Sequence, residues 1–310
     1  MSQEAPESTL ATFTASDGEN LAVQDWPLPP DVRPRATVLL VHGLGEHAGR
    51  YDGLARQLNA WGYAVRGYDH YGHGQSGGAR GTVPQQHRLL DDLADIVEST
   101  RKRTPELPLV LLGHSLGGLV AASLVARGTV PVDGLVLSSP ALAPRLSVLQ
   151  KLLLAIIPRL APDLAVGNGL DPEFLSHDPR VAQAYAKDPL VHDRISGRLA
   201  RFIADEGKVV QFCAPRWAVP TLLMYGGADR IVDPKGSAAF AAAAPRKVVS
   251  TQCFESFYHE IFNEPRAQPV FSHLRQWLDA RFAARASPGL RQSGPSAAAS
   301  RDSATSSPGS

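Results

Sequence analysis

The chain has 310 residues, 44% of them hydrophobic, which suits one large core but hardly two independent domains. Its 31 basic and 30 acidic residues give a formal net charge of +1, so a nucleic-acid partner is not expected. No apolar stretch reaches the roughly 18 to 20 residues that a membrane-spanning helix needs.

The two cysteines, Cys213 and Cys253, lie far apart and form no C-x-x-C pair, which excludes a disulfide framework. The N-terminus carries acidic residues and a proline where a signal peptide would have basic residues and an apolar run. We therefore expect a cytoplasmic protein. Residues 1–10 predict a flexible N-terminus, residues 11–284 a single domain, and residues 285–310, rich in Ser, Ala, Pro, Gly and Arg, a disordered tail.

Between these ends, short β-branched or leucine-rich runs alternate with helical patterns, which is typical of an α/β fold with a mostly parallel sheet between helices. The turn signal Asp17-Gly18 predicts an antiparallel hairpin at one edge of the sheet. The predicted strands are residues 12–16, 21–26, 36–41, 63–68, 107–112, 134–139, 220–225 and 247–254. The main predicted helices are residues 51–61, 86–103, 116–127 and 267–284.

One segment, residues 141–215, breaks this alternation with helical periodicity and turns but no predicted strand. The segment follows a strand whose carboxyl end should face the site of an open α/β sheet, so we interpret it as a helical cap. Leu153 and Ile157 belong to an apolar stripe of this cap. Such a stripe is usually core, but we expect part of it to line an acyl pocket or touch lipid surfaces.

The strongest chemical motif is residues 113–117, which read Gly-His-Ser-Leu-Gly between a buried strand and a helix. A sharp strand-to-helix turn strains the central residue and leaves room only for small flanking residues. Ser115 would then project into the crevice at the positive end of the helix. The motif predicts Ser115 as a nucleophile, whereas a glycine-rich turn with an incidental serine is the simpler alternative.

An oxyanion hole needs a second backbone amide from the loop after an earlier strand. Residues 42–46, His-Gly-Leu-Gly-Glu, follow the predicted strand 36–41 at that place. We predict the backbone N–H groups of Leu44 and Leu116 as the two donors. A plain strand-to-loop turn is the alternative.

In this arrangement the acid and base follow the serine in that order. Asp229 lies just beyond a predicted strand, whereas Asp233 precedes Pro234 and suits a helix N-cap. Among the later histidines, only His259 follows both Asp229 and a strand by a short loop. We predict Asp229 to hold the tautomer of His259, and His259 to act as general base.

These motifs, together with residues 69–76 and 258–260, closely resemble the monoacylglycerol lipase and lysophospholipase branch of the α/β-hydrolases over about residues 10–283. The resemblance implies an α/β-hydrolase fold, the same triad and oxyanion hole, and a cap that forms an apolar acyl tunnel. This sequence differs from the family at Phe262, a position where some members have a second histidine near the glycerol moiety. Residues 69–76 should buttress the site. Glu46 and Arg50 should orient the oxyanion loop or contact a polar head group.

The predicted reaction is therefore ester hydrolysis through an acyl-enzyme, with a monoacylglycerol as the substrate and no metal or cofactor. No zinc pattern accompanies the histidines. Alternative substrates are a lysophospholipid, an aryl ester or a hydroxyalkanoate oligomer. Haloperoxidase chemistry and acyl transfer are less favoured, although His87 and Asp92 match an H-x-x-x-x-D acyltransferase pattern. A catalytically silent binding protein is a further alternative.

Overall fold

The computed structural model describes residues 6–143 and 160–282. The strands are β1 (Thr9–Thr14), β2 (Asn20–Trp26), β3 (Thr37–Val41), β4 (Ala64–Tyr68), β5 (Leu109–His114), β6 (Gly134–Ser138), β7 (Ala165–Gly167), β8 (Arg194–Ser196), β9 (Thr221–Gly226) and β10 (Val249–Phe254). The α-helices are α1 (Asp52–Ala60), α2 (Arg88–Arg103), α3 (Ser115–Arg127), α4 (Pro179–Lys187), α5 (Gly197–Cys213), α6 (Pro234–Ala243) and α7 (Gln268–Arg281).

One 8-stranded sheet has the order β1-β2-β4-β3-β5-β6-β9-β10. All neighbours from β4 to β10 are parallel, whereas β1 pairs antiparallel with β2 and β2 with β4. The predicted α/β class and the edge hairpin are therefore confirmed. The hairpin begins earlier than predicted, since Thr9 and Leu10 of the expected flexible N-terminus already pair with β2.

Alternate residues of the central strands pack into two separate core layers. Leu39 and Val41 face one layer with α2, α3 and α5, while Val38 and Leu40 face the other with α1 and α7. Because both faces of the sheet are covered, these strands are apolar throughout instead of alternating with polar residues. This packing holds the carboxyl ends of the parallel strands rigidly along one edge.

The prediction that residues 141–215 contain no strand is wrong. β7 and β8 pair antiparallel and form a small second sheet. Strands of 3 residues are too short to produce a recognisable alternation of apolar and polar side chains. In the parts of the chain that the structure describes, no helix is long and apolar enough to span a bilayer.

Candidate active site

Ser115 lies at the turn where β5 passes directly into α3. Its φ of 52° falls in the left-handed region that side chains other than glycine rarely adopt. Such strain persists only where the surrounding structure enforces it, and it is typical of functional sites. The strand–turn–helix context predicted for the serine is present.

The glycines on either side of Ser115 allow this turn to form. A Cβ atom on Gly117 would lie 2.1 Å from the carbonyl oxygen of Val41, and one on Gly113 would lie 2.5 Å from the carbonyl oxygen of Gly117. Both distances are far below van der Waals contact. The predicted need for glycine at both positions is confirmed.

The loop after β3 lies against the same serine. A Cβ on Gly43 would be 3.2 Å from the Cβ of Ser115, so the next residue, Leu44, is close to the nucleophile turn. Leu116 is the second residue of α3, where a backbone N–H has no partner within the helix. We retain these two amides as the proposed oxyanion donors.

The sheet places the predicted acid and base on adjacent loops. Asp229 follows β9 and His259 follows β10, and these strands pair in parallel up to Gly226 and Phe254. The Nδ1 atom of His259 lies 2.7 Å from Oδ2 of Asp229. Both residues are buried.

Electrostatics favour an ionised acid and a basic imidazole. Burial disfavours the charge on Asp229, but His259 and two backbone N–H groups lower its pKa below the ordinary value. Those N–H groups belong to Ile231 and Val232 and lie 2.8 and 3.0 Å from Oδ1. Burial likewise opposes a charge on His259, but Asp229 raises the pKa of His259. The pair is therefore suited to accepting a proton at Nε2.

The residues that the sequence offered as alternatives, Asp233 for the acid and the pair His87 and Asp92 for acyl transfer, have other partners in the structure. Asp233 caps the N-terminus of α6 with its side chain, as its sequence context predicts. His87 and Asp92, the acyltransferase-like pair, face separate partners. His87 Nε2 lies 3.8 Å from Glu206, whereas Asp92 accepts a 2.7 Å hydrogen bond from Arg88.

Glu46 connects residues 42–47, the loop that carries the proposed oxyanion donor Leu44 and is called the oxyanion loop here, to a buried network of charged side chains. Its Oε1 accepts the backbone N–H of Gly43 at 2.5 Å, and its Oε2 pairs with Arg50. Arg50 also donates to both carboxylate oxygens of Glu260 at 2.9 and 3.1 Å. Burial opposes ionisation of Glu46, but Arg50 and its neighbours lower its pKa to about 2. These contacts favour the predicted orienting role of Glu46 and Arg50.

A cavity of about 220 Å³ adjoins this network. Its polar lining includes Glu46, Arg50, Tyr51, His114, Ser138, Glu260 and Asn263, and its apolar lining includes Leu54, Phe262 and Phe271. The ring centroid of His114, which lines the cavity, lies 4.6 Å from that of His259, but neither His259 nor Ser115 is itself among the lining residues. Burial and the charge of His259 lower the pKa of His114 to about 4, which leaves it neutral at pH 7.

Residues 188 and 192 of the cap segment contact the oxyanion loop. The backbone N–H of His192 donates to the carbonyl of Gly45 at 2.9 Å. Gly45 has a φ of 78°, and a Cβ there would lie 2.3 Å from the carbonyl oxygen of His192. His47 and Asp188 form a second link at 2.8 Å. The loop therefore has little freedom to move without the cap.

Asp69 stabilises the residues on either side of it by accepting two backbone hydrogen bonds. One carboxylate oxygen accepts the N–H of Ala48 and the other that of Gln75, each at 2.8 Å. These bonds agree with the buttressing role expected of residues 69–76.

Sequence reasoning missed several of these groups. Glu260 directly follows the predicted base, and that adjacency could have identified it. The ring centroid of Tyr185 on α4 lies 4.9 Å from the guanidinium carbon of Arg50, but no local sequence pattern indicates this contact between the cap and the loop.

The predicted pocket residues Leu153 and Ile157 lie outside the described residues. Within residues 6–143 and 160–282, no group of three or more His, Cys, Asp or Glu side chains could hold a metal ion.

Known proteins resemble the chain over most of its length. A family model described as Hydrolase_4 (serine aminopeptidase, S33) matches residues 32–266. A monoacylglycerol lipase of Mycolicibacterium smegmatis is 33% identical over 274 residues, which cover 86% of this chain and 95% of that protein. An uncharacterised abhydrolase domain-containing protein of Dictyostelium discoideum is 32% identical over 89% of this chain, but the chain spans 29% of that protein's length.

A solved structure shows the same similarity in three dimensions. The crystal structure of Paleococcus ferrophilus monoacylglycerol lipase superposes with a TM-score of 0.74 and is 34% identical. The match covers 89% of this chain and 100% of that one. The common architecture is the α/β-hydrolase fold.

Proposed function

The chain belongs to the Hydrolase_4 (serine aminopeptidase, S33) family, and we propose that it hydrolyses monoacylglycerols to a fatty acid and glycerol. Its similarity to monoacylglycerol lipases at 33–34% identity supports an ester substrate. The Asp229–His259 pair supports acyl transfer through the Ser115 hydroxyl, because the His259 ring lies 4.6 Å from that of His114, which directly precedes the strained serine.

The proposed mechanism has two halves. Ser115 Oγ attacks the ester carbonyl carbon while His259 Nε2 takes the hydroxyl proton, and the amides of Leu44 and Leu116 stabilise the oxyanion. His259 returns the proton to the leaving alcohol as the ester bond breaks. Water, deprotonated by His259, then attacks the acyl carbon; the bond to Ser115 Oγ breaks, His259 returns the proton to Oγ, and the fatty acid leaves. Asp229 holds the imidazole in the tautomer that leaves Nε2 free to accept.

The cavity next to His114 is the observation that favours monoacylglycerol over a lysophospholipid. Among the described residues that line it, Arg50 is the one cation, and it already binds the carboxylates of Glu46 and Glu260. Two carboxylates against one guanidinium repel a phosphate but can accept hydrogen bonds from neutral hydroxyl groups. We infer that the charge balance next to His114 suits an uncharged leaving alcohol better than one that carries a phosphate.

The test is fatty-acid release by the wild type from 1-oleoylglycerol, oleoyl lysophosphatidylcholine and oleoyl lysophosphatidic acid. We expect kcat/KM for 1-oleoylglycerol to exceed the other two by at least about tenfold, which corresponds to 1.4 kcal/mol. Turnover of a short p-nitrophenyl ester alone would keep the triad but reject the lipid substrate. Faster hydrolysis of alanine p-nitroanilide than of any ester would replace the proposal with peptidase activity.

We also propose that the cap touches lipid surfaces. Leu160, Leu164 and Val166 are 80%, 55% and 45% exposed, close to one another in the sequence. Grouped exposed apolar side chains favour contact with an apolar surface.

The double variant Leu160→Ser, Leu164→Ser should have lower activity on 1-oleoylglycerol in phosphatidylcholine vesicles, because the enzyme would bind the vesicle surface more weakly. Turnover of a soluble short ester should stay unchanged. Leu10→Ser, on the edge strand β1 and 54% exposed, is the matched control. Equal vesicle activity of the cap variant and this control would contradict the contact.

The cytoplasm is the compartment we propose, because Cys213 and Cys253 are both free. Recovery of the protein from a secreted or periplasmic fraction would contradict this assignment.

A further inference from the structure

Cap residues 174–178 lie against the loop that carries the proposed base. The backbone N–H of Glu260 donates to the carbonyl of Leu175 at 2.7 Å. Ser176 Oγ donates to the carbonyl of Asn263 at 2.9 Å. Because these bonds hold the loop just after the base, its position depends on the cap.

Glu264 lies at the centre of this contact. Its carboxylate is only 2% exposed. Oε1 accepts the backbone N–H of Tyr258 at 2.6 Å and lies 2.9 Å from Nδ1 of His177 on the cap. Since Tyr258 immediately precedes His259, one buried carboxylate ties the backbone beside the base to the cap.

Ring contacts extend the link to the loop of the acid. The ring of His177 stacks on Tyr258 with centroids 3.7 Å apart. The guanidinium of Arg230 lies 4.8 Å from the ring of Phe174 and 5.6 Å from that of Tyr258. Because Arg230 directly follows Asp229, the same cap segment contacts the neighbours of both acid and base.

We propose that Glu264 is a positioning residue that keeps the His259 imidazole aligned between Asp229 and Ser115 by fixing the backbone of Tyr258. This role rests on the proposed triad. Glu264 acts through the backbone, since its carboxylate binds the Tyr258 N–H and His177. Without the carboxylate, the buried N–H would lose its partner and the loop would shift to satisfy it. A displacement of about 1 Å at a catalytic group can cost about 100-fold in rate.

Glu264→Ala should therefore lower kcat for a short p-nitrophenyl ester about 10- to 100-fold with KM little changed. Glu264→Gln keeps an acceptor oxygen for the Tyr258 N–H and should retain most of the activity. The acidic limb of the kcat/KM profile should move to lower pH in the alanine variant. Burial lowers the pKa of His259 and Asp229 raises it, so an imidazole displaced from Asp229 stays neutral at lower pH.

Glu206→Ala is the matched control, because Glu206 is also buried and ion-paired, to Arg127 at 2.6 Å, but sits on α5. It should lose stability without moving the acidic limb. His177 is 45% exposed, so His177→Ala should fold even if Glu264→Ala does not. It should move the limb in the same direction but by less, with a smaller loss of kcat, because Glu264 keeps its bond to the Tyr258 N–H.

A wild-type kcat and acidic limb in Glu264→Ala, or in His177→Ala if Glu264→Ala does not fold, would overturn the positioning role, as would a glutamine variant as impaired as the alanine variant. Ser115→Ala in the same assay separates the two proposals. Activity in Ser115→Ala would reject the triad itself. An inactive Ser115→Ala beside an unimpaired Glu264→Ala would reject only the role of Glu264.

Discussion

Ser115→Ala should lower kcat for ester hydrolysis on the order of 10⁶-fold, the scale measured when a serine hydrolase loses its nucleophile. The reason is that no other group at the turn can form the acyl-enzyme, so only binding and oxyanion stabilisation remain. Release of oleate from 1-oleoylglycerol and labelling by a fluorophosphonate probe measure the effect. Both should be lost in the variant.

Ser123→Ala is the control for this substitution. Ser123 lies on the same helix and is completely buried, and its hydroxyl has no hydrogen-bond partner among the residues that the structure describes. Removing that hydroxyl should leave both turnover and labelling unchanged. If Ser115→Ala were labelled as fast as Ser123→Ala, another residue would be the nucleophile, and the strained turn would need a different explanation.

Asp229→Asn should lower kcat about 10⁴-fold, because an amide can stabilise the wrong imidazole tautomer and cannot balance the charge on the imidazolium. The acidic limb of the pH profile should also move. Burial lowers the pKa of His259 and the Asp229 charge raises it, so loss of that charge lowers the pKa of His259. Since the base must be neutral, the limb shifts to lower pH. Steady-state kinetics between pH 4 and pH 9 measure both effects.

Asp233→Asn tests whether the correct carboxylate has been identified. Asparagine caps helices about as well as aspartate does, so this variant should keep both its stability and its activity. A larger loss of activity in Asp233→Asn than in Asp229→Asn would reverse the assignment. The two aspartates stand close together in the sequence, so sequence distance alone cannot separate them.

The residues that could be predicted from sequence are those whose role is encoded locally. A strained serine needs glycine on both sides, and Gly113 and Gly117 stand within the same pentapeptide. The pairing of Asp229 with His259 could be predicted because each follows a strand whose carboxyl end must reach the same edge of the sheet. The strand order itself positions these loops.

The ionic network and the cap contacts could not be predicted, because they depend on long-range packing. Arg50 and Glu260 are separated by 210 residues, yet they share two hydrogen bonds. The strands β7 and β8, which pair with each other inside the cap segment, were missed because 3 residues are too few to show a strand pattern. Glu264 resembles an ordinary loop carboxylate until Tyr258 and His177 are seen around it.

The contact between Gly45 and His192 has a consequence for protein engineering. A library that varies the cap around residue 192 would also disturb the carbonyl that packs against Gly45. Such variants should hydrolyse esters more slowly even when Ser115, Asp229 and His259 are unchanged. Transferring residues 42–47 and the cap from one donor as a single unit would preserve these contacts, whereas recombination between them would pair a loop and a cap that do not fit.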